Sequence, residues 1–259
     1  MTKTEHASPS LFSFARAALF SPAKAAEEAR RPGSLLPGAG LYAAFLAASA
    51  AFYAWKPFDF PDQNAAFPRE AQGLAFWLKA LAWQPPLELV WIALLLALVQ
   101  WYRNGKMFPR LLGAVCATAA PFILLVLYKQ GGLSWWPYLL LSAAWMALLG
   151  YWAKSAPESE WRPVAALMLA LNAIPLLAFI PMALAVPLQA PRLYQAGQLG
   201  GGLWVLLCGT LGLRALTGLR LPRCFMSVLL SMFMQIAFAF TLHMLGLVPK
   251  DILKALLLL

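Results

Sequence analysis

Two polar side chains in the last long apolar stretch of the sequence are the first candidates for chemistry. Gln235 and His243 are eight residues apart, which on a helix places them on roughly one face, about two turns apart. Polar groups are costly in lipid, so each indicates a functional site by default. Together they could form a proton relay or a polar seam. Alternatively, each bonds a neighbouring helix.

A third polar residue, Asn172, completes this candidate polar intramembrane site and lies in a proline-rich apolar stretch. Pro175, Pro181 and Pro187 follow it. Proline removes a backbone donor and kinks or breaks a helix, so we expect a broken span here. A break beside an amide could line a binding cavity, as it does in transporters. Alternatively, Asn172 bonds a carbonyl that the break frees.

Basic residues between the apolar stretches form a second candidate, a contact site for anionic lipid. Its members are Arg103, Lys106, Arg110, Arg214, Arg220 and Arg223. Lys and Arg beside membrane spans attract anionic headgroups. Because membrane topology alone would place basic residues at the same positions, both interpretations stay open.

The sequence contains no set of residues that predicts catalysis. HExxH, GxSxG and phosphate-binding glycine motifs are absent. Cys116, Cys208 and Cys224 lack metal-ligand spacing, so we interpret them as small core residues. His243 is the only histidine in a predicted span, which is too few for a metal site. We predict no catalytic, cofactor or metal site, and a protein that is not an enzyme.

The elements that position these residues follow from the composition. Of the 259 residues, 62% are hydrophobic and 12% are charged, whereas a soluble domain has about 25% charged residues. Long continuous apolar stretches favour helices over a barrel, which would show short alternating segments. We predict an all-α fold, a polytopic membrane helix bundle with about seven transmembrane helices plus amphipathic interfacial helices. The net charge of +10 then reflects topology, and no nucleic-acid partner is expected.

Seven stretches are apolar enough to span a bilayer, which takes about 20 residues per helix. They cover residues 36–55, 86–102, 110–128, 135–152, 163–187, 199–217 and 224–247. The chain then divides into a cytoplasmic interfacial segment 1–34, a transmembrane domain 35–249 and a short C-terminal tail 250–259. Glu88 and Arg214 fall near span ends, where their charges can snorkel to the interface.

The distribution of basic residues predicts the orientation in the membrane. Thirteen of the 20 Lys and Arg residues lie on the side of the N-terminus, and seven lie on the other side. Because cytoplasmic loops carry the excess of basic residues, we expect a cytoplasmic N-terminus and a C-terminus outside. Residues 1–20 lack the apolar core of a signal peptide, so targeting is expected to depend on the first span.

Segments outside the spans show helical amphipathic patterns. Residues 8–31 predict two short helices, the second starting at Ser21-Pro22 as an N-cap followed by proline. Residues 69–83 carry apolar side chains at i, i+3, i+4 and i+7. We expect both segments to lie in the membrane interface, with Lys24 and the Arg30-Arg31 pair near anionic lipid.

Three stretches resemble the Yip family, the Rab/Ypt-interacting multi-pass membrane proteins and their bacterial relatives. They are Leu19-Phe20-Ser21-Pro22, Asn104-Gly105-Lys106-Met107-Phe108 with Pro121 in the next span, and Trp204 through Arg223. The resemblance covers about 140 residues and implies a cytoplasmic N-terminus, a C-terminus outside and a non-catalytic role in membrane organisation. Family members usually have five spans, so 135–187 reads as an inserted helical hairpin, and Asn172 lies within it.

Two functions follow as expectations. The leading one is a non-enzymatic integral membrane protein, a scaffold or accessory subunit of a membrane complex in a bacterial inner membrane. Its expected partners are membrane lipids and either other integral membrane proteins or further copies of itself. The alternative is a transporter or permease-like protein for a lipid or small solute, with a cavity near the polar intramembrane site.

Overall fold

The computed structural model describes residues 8–57, 60 and 73–258, and the regular elements in these residues are helices. In chain order they are α1 (Leu11–Phe20), α2 (Pro22–Ala29), α3 (Leu35–Trp55), α4 (Leu74–Leu81), α5 (Gln84–Arg103), α6 (Met107–Lys129), α7 (Trp135–Lys154), α8 (Glu158–Leu171), α9 (Ala173–Ala185), α10 (Pro191–Thr217), α11 (Leu221–Met244) and α12 (Lys250–Leu258). The predicted all-α membrane bundle is therefore confirmed.

Six helical stretches within the described residues are long and apolar enough to cross a membrane. They are Leu35–Trp55, Leu74–Arg103, Met107–Lys129, Ser159–Ala185, Pro191–Thr217 and Leu221–Met244. The remaining predicted span corresponds to α7, a helix of 20 residues. Four Trp and two Tyr residues in α7 lower its hydropathy below that of the other six. Aromatic rings favour the headgroup level, so this composition is compatible with a crossing helix.

The packing of α7 favours a seventh crossing. At one end, the rings of Tyr128 in α6 and Tyr138 in α7 stack with centroids 4.6 Å apart. Further along, Nε1 of Trp145 in α7 donates to the carbonyl oxygen of Ala117 in α6 at 2.8 Å. These pairings make α7 an antiparallel neighbour of α6. α6 is long and apolar enough to span, so this pairing is compatible with α7 as a seventh crossing.

The described part of the chain forms two compact units, the first comprising the described residues of 1–81 together with 162–218. In this unit α9 packs against α10, α3 against α9, and α2 against α10. Glycine permits two of the close approaches. A Cβ on Gly38 would lie 3.0 Å from the carbonyl oxygen of Ala166, and one on Gly212 would lie 2.8 Å from Cδ2 of Leu167. Small residues at helix contacts are typical of membrane bundles.

The second unit comprises residues 82–161 and 219–259, with α5 packed against α6, α7 and α11. Its core cluster contains Leu94, Leu98, Tyr102, Ala114, Trp145, Leu149, Leu230 and Met234. The segment predicted as a short C-terminal tail is the helix α12, which packs against α11. Ile252 and Leu253 of α12 are buried, so this segment is part of the packed unit.

The short helices expected outside the spans are present. α1 and α2 divide residues 8–31 where predicted, and Pro22 is in the first turn of α2, although the side chain of Ser21 makes no capping hydrogen bond. Of the segment 69–83, residues 69–72 lie outside the described residues. α4 follows, and it is the first part of the apolar stretch Leu74–Arg103 that is long enough to span, contrary to the interfacial position expected for it. It buries Trp77 and Leu81 while Leu74 and Leu78 stay exposed.

Candidate functional site

Asn172 lies where the proline-containing span breaks. α8 ends at Leu171 and α9 starts at Ala173, so the expected interruption is present. The amide nitrogen Nδ2 of Asn172 donates to the carbonyl oxygens of Met168 at 3.4 Å and Leu169 at 3.2 Å. These carbonyls belong to the turn just before the break, where the regular helical bonds stop. The amide therefore binds backbone groups of its own helix.

Gln235 connects two helices of the second unit. Its Nε2 donates to the carbonyl oxygen of Leu87 in α5 at 3.1 Å. One turn earlier in α11, the hydroxyl Oγ of Ser231 accepts from Nε1 of Trp91 at 2.9 Å. The two bonds lie between the same pair of helices, and polar bonds of this kind hold helices together in membranes. Gln235 is thus part of a short polar seam between α5 and α11.

His243 closes the end of α11. Its Nδ1 lies 2.8 Å from the carbonyl oxygen of Val248, and because a carbonyl can only accept, Nδ1 carries the proton. The bond covers the turn that follows Met244, the last residue of α11. Gln235 and His243 therefore bind different groups although they share one helix. Asn172 belongs to the first unit, whereas Gln235 and His243 belong to the second.

The end of the second unit where α5 ends and α11 begins is rich in basic residues. The guanidinium of Arg223 donates from Nη1 to the carbonyl oxygens of Tyr102 at 2.6 Å and Arg103 at 3.3 Å, and from Nη2 to that of Gly105 at 2.8 Å. The last carbonyls of a helix lack partners within it, and a cation is favourable beside them. Arg223 therefore caps the C-terminus of α5.

Two further basic residues at this end have partners within the protein. Arg103 forms an ion pair with Glu160, which also accepts from Nε2 of Gln100 at 3.1 Å. The guanidinium carbon of Arg110 lies 4.3 Å from the ring centroid of Trp101, a cation–π contact. These contacts leave Arg103 and Arg110 partly buried, and they hold the loop between α5 and α6 in place.

The other members of the predicted lipid-contact set face outward. Lys106 and Arg220 of the second unit and Arg214 of the first are exposed. Arg214 is thus placed as a snorkelling residue should be. Glu88 is not, because only 8% of its surface is exposed. The prediction that Glu88 snorkels was wrong, since α5 turns this position into the protein interior.

The first unit contains a buried aromatic cluster that the sequence analysis did not single out. The hydroxyl of Tyr53 in α3 is hydrogen-bonded to the side chains of Tyr194 and Gln198 in α10. Both tyrosines are buried, and Nζ of Lys56 lies 5.9 Å from the ring centroid of Tyr194. The available signal was the aromatic content near the end of the first predicted span, where Phe52, Tyr53 and Trp55 stand close together.

Within the described residues, no group of three or more His, Cys, Asp or Glu side chains could hold a metal ion. Comparison with known protein families, with curated proteins and with solved structures found no match to this chain. The functional conclusion therefore depends on the residues and contacts described above.

Proposed function

We propose that this protein is a non-enzymatic scaffold or accessory subunit that binds other integral membrane proteins through the open face of α6. The observation that carries this proposal is the unequal burial of the spanning helices. Only 17% of the most apolar stretch of α6 is buried, compared with 56% for Leu74–Arg103. Helix α6 therefore has the most side-chain surface left for a partner.

The residues of this open face suit a helical partner. Leu112, Ile123 and Val126 are each more than half exposed. Cys116, between them along the helix, is also exposed. Helix association in membranes depends on packing, and small residues let two backbones approach closely. A helix with small and branched apolar side chains on one exposed face offers such a surface.

The hydrogen bonds of the polar residues support a structural role for each. Asn172 binds carbonyls of its own helix, Gln235 binds the backbone of α5, and His243 binds the turn after α11. Each of these side chains already has a backbone partner. A solute-binding site would instead need polar groups that are free to bind the solute.

We place the protein in a bacterial inner membrane with the N-terminus in the cytoplasm. The excess of basic residues on the side of the N-terminus supports this orientation. The resemblance to the Yip family implies the same orientation and a role in membrane organisation. Under this assignment, the exposed Lys106 and Arg220 at the start of α6 and α11 meet the anionic cytoplasmic leaflet.

Site-specific photocrosslinking in native membranes tests the proposal. A photoreactive amino acid at Ile123 in α6 should give a discrete adduct with a second polypeptide. The matched control is Leu203 in α10, because Leu203 and Ile123 are both 57% exposed. A photoreactive amino acid at Leu203 should give lipid adducts only. Lipid adducts alone at both positions would refute a partner on α6.

The break at Asn172 favours one alternative, a transporter whose interrupted span lines a solute pathway. The substitution Asn172→Leu separates the two functions. It removes the bonds to Met168 and Leu169, so we expect lower thermal stability with the cellular role retained. Unchanged stability with loss of the cellular role would favour the transporter.

A further inference from the structure

Four cations of the second unit gather around one glycine in the loop between α5 and α6. The carbonyl oxygen of Gly105 accepts from Nη2 of Arg223 at 2.8 Å. The guanidinium of Arg110 also lies against this glycine, because a Cβ built on Gly105 would be 3.2 Å from its Nε. Lys106 follows Gly105 directly. The backbone N–H of Arg223 donates to the carbonyl oxygen of Arg220 at 3.0 Å, so Arg220 is adjacent to the same loop.

Two of these cations are fixed by the protein, and the other two face outward. Arg223 binds backbone carbonyls, and the guanidinium of Arg110 lies on the ring of Trp101. Neither contact supplies a negative charge, so both guanidinium groups remain positive within the cluster. Lys106 and Arg220 are exposed and can bind a ligand from outside.

The charges around the cluster leave it positive. Neither α6 nor α11 has an acidic residue in its first turn. The nearby carboxylate of Glu160 is already paired with Arg103. Gathering like charges costs electrostatic repulsion, and an anion bound among them relieves that cost. The arrangement therefore favours an anionic ligand.

Exposed apolar side chains lie directly beside the two outward cations. Phe108, two residues after Lys106, is 77% exposed, and Leu221, directly after Arg220, is 41% exposed. They stand at the starts of α6 and α11, which contact each other and are both long and apolar enough to cross a membrane. A phosphate ion has no apolar part to cover such side chains. A phospholipid joins an anionic headgroup to apolar chains, and it fits both features.

We propose that the starts of α6 and α11 form a binding site for one anionic phospholipid. Lys106 and Arg220 contact the phosphate of the headgroup, and the acyl chains pack along the exposed apolar side chains of both helices. Arg110 and Arg223 hold the loop in place and add positive potential. This site differs from a general attraction of basic residues to the anionic leaflet, because it depends on two particular cations that the loop brings together.

Thermal stabilisation in a neutral detergent tests the site, since a ligand that binds the folded state raises Tm with its concentration. The purified chain is titrated with phosphatidylglycerol, with zwitterionic phosphatidylcholine and with inorganic phosphate. The double variant Lys106→Gln with Arg220→Gln removes the outward cations. The matched control is Lys129→Gln with Lys250→Gln, because both lysines are exposed and lie at the opposite ends of the same two helices.

We expect phosphatidylglycerol to bind at least about tenfold more tightly than phosphatidylcholine, whose headgroup has no net charge. A cation beside an anionic headgroup contributes about fivefold in affinity. The double variant should therefore bind phosphatidylglycerol about 25-fold more weakly than the wild type, and the control variant should stay within about twofold of the wild type.

Three results would overturn the proposal. Equal losses in the double variant and the control would mean a general attraction to charge. Equal binding of the two lipids by the wild type would exclude an anionic site, whether or not the variants fold. Inorganic phosphate that binds as tightly as phosphatidylglycerol would mean an ion site without a lipid. The outcome is separate from that of the scaffold function, because Ile123, the position crosslinked there, lies about 22 Å further along α6 than Phe108.

Discussion

Arg223 should contribute more to stability than any exposed basic residue near it. Its guanidinium binds the carbonyls of Tyr102 and Arg103, the last two residues of α5, and of Gly105 just beyond them. The guanidinium of arginine is a planar fork with several donors, which can bind carbonyls in this arrangement. The ammonium of lysine is a compact point charge without that fork geometry. We therefore expect both Arg223→Met and Arg223→Lys to lower the thermal stability of the purified protein.

The magnitude follows from the three bonds. Hydrogen bonds to charged groups contribute about 1.5–3 kcal/mol each, but Arg223 is partly exposed and water replaces part of what is lost. We expect a loss of about 2–4 kcal/mol for Arg223→Met. For a chain of this size, each kcal/mol lowers Tm by about 2–4 °C, which gives a decrease of about 5–15 °C. Arg223→Lys should fall between the wild type and Arg223→Met.

The assay is thermal unfolding in mild detergent. The quantity measured at each temperature is the fraction of protein that remains monodisperse. Arg220→Met is the matched control, because Arg220 carries the same charge three residues earlier and is exposed. Its Tm should change by less than about 2 °C. Equal Tm values for Arg223→Met and Arg220→Met would refute the capping role. A lysine variant as stable as the wild type would mean that charge alone, and not the fork, stabilises α5.

Three further predictions concern packing and topology. Gly38→Ala should lower Tm, since a methyl group 3.0 Å from the carbonyl oxygen of Ala166 overpacks the contact by about 1–3 kcal/mol. Gly202→Ala places its methyl group in open space and should raise Tm slightly, because alanine has a higher helix propensity than glycine. A lower Tm for Gly202→Ala than for Gly38→Ala would contradict the packing of Gly38 against Ala166. Trp145→Phe removes the bond to Ala117 and should cost about 1 kcal/mol, seen as a lower Tm. A topology reporter fused to the C-terminus should lie opposite the N-terminus if α7 crosses; the same side for both would exclude seven crossings.

The helices themselves could be predicted from the sequence because their signals are local. Long uncharged stretches leave few alternatives to a spanning helix. Gly218, with φ of 69°, ends α10 in the left-handed conformation, which glycine adopts without steric cost. The break at Asn172 followed from the neighbouring prolines, and the bonding of its amide to nearby carbonyls was one of the two alternatives.

The partners of the polar residues could not be predicted because they are distant in sequence. Arg223 meets Tyr102, and Trp204 meets Leu19. Amphipathic periodicity shows which face of a helix is polar, but it does not show which helix packs there. In lipid, helix pairing depends on the shape of facing surfaces and not on hydrophobicity. For the same reason, the division into two units was not apparent from the sequence.

Purification of the tagged protein from its native membrane in nanodiscs, followed by mass spectrometry of proteins and lipids, tests the proposed function most directly. We expect at least one integral membrane protein in a fixed ratio to this chain. Replacement of Ile123 by a charged residue on the exposed face of α6 should abolish that association, because a charge is costly in an apolar helix contact. A protein that is recovered alone, and that moves a lipid or solute across liposomes, would contradict the scaffold function.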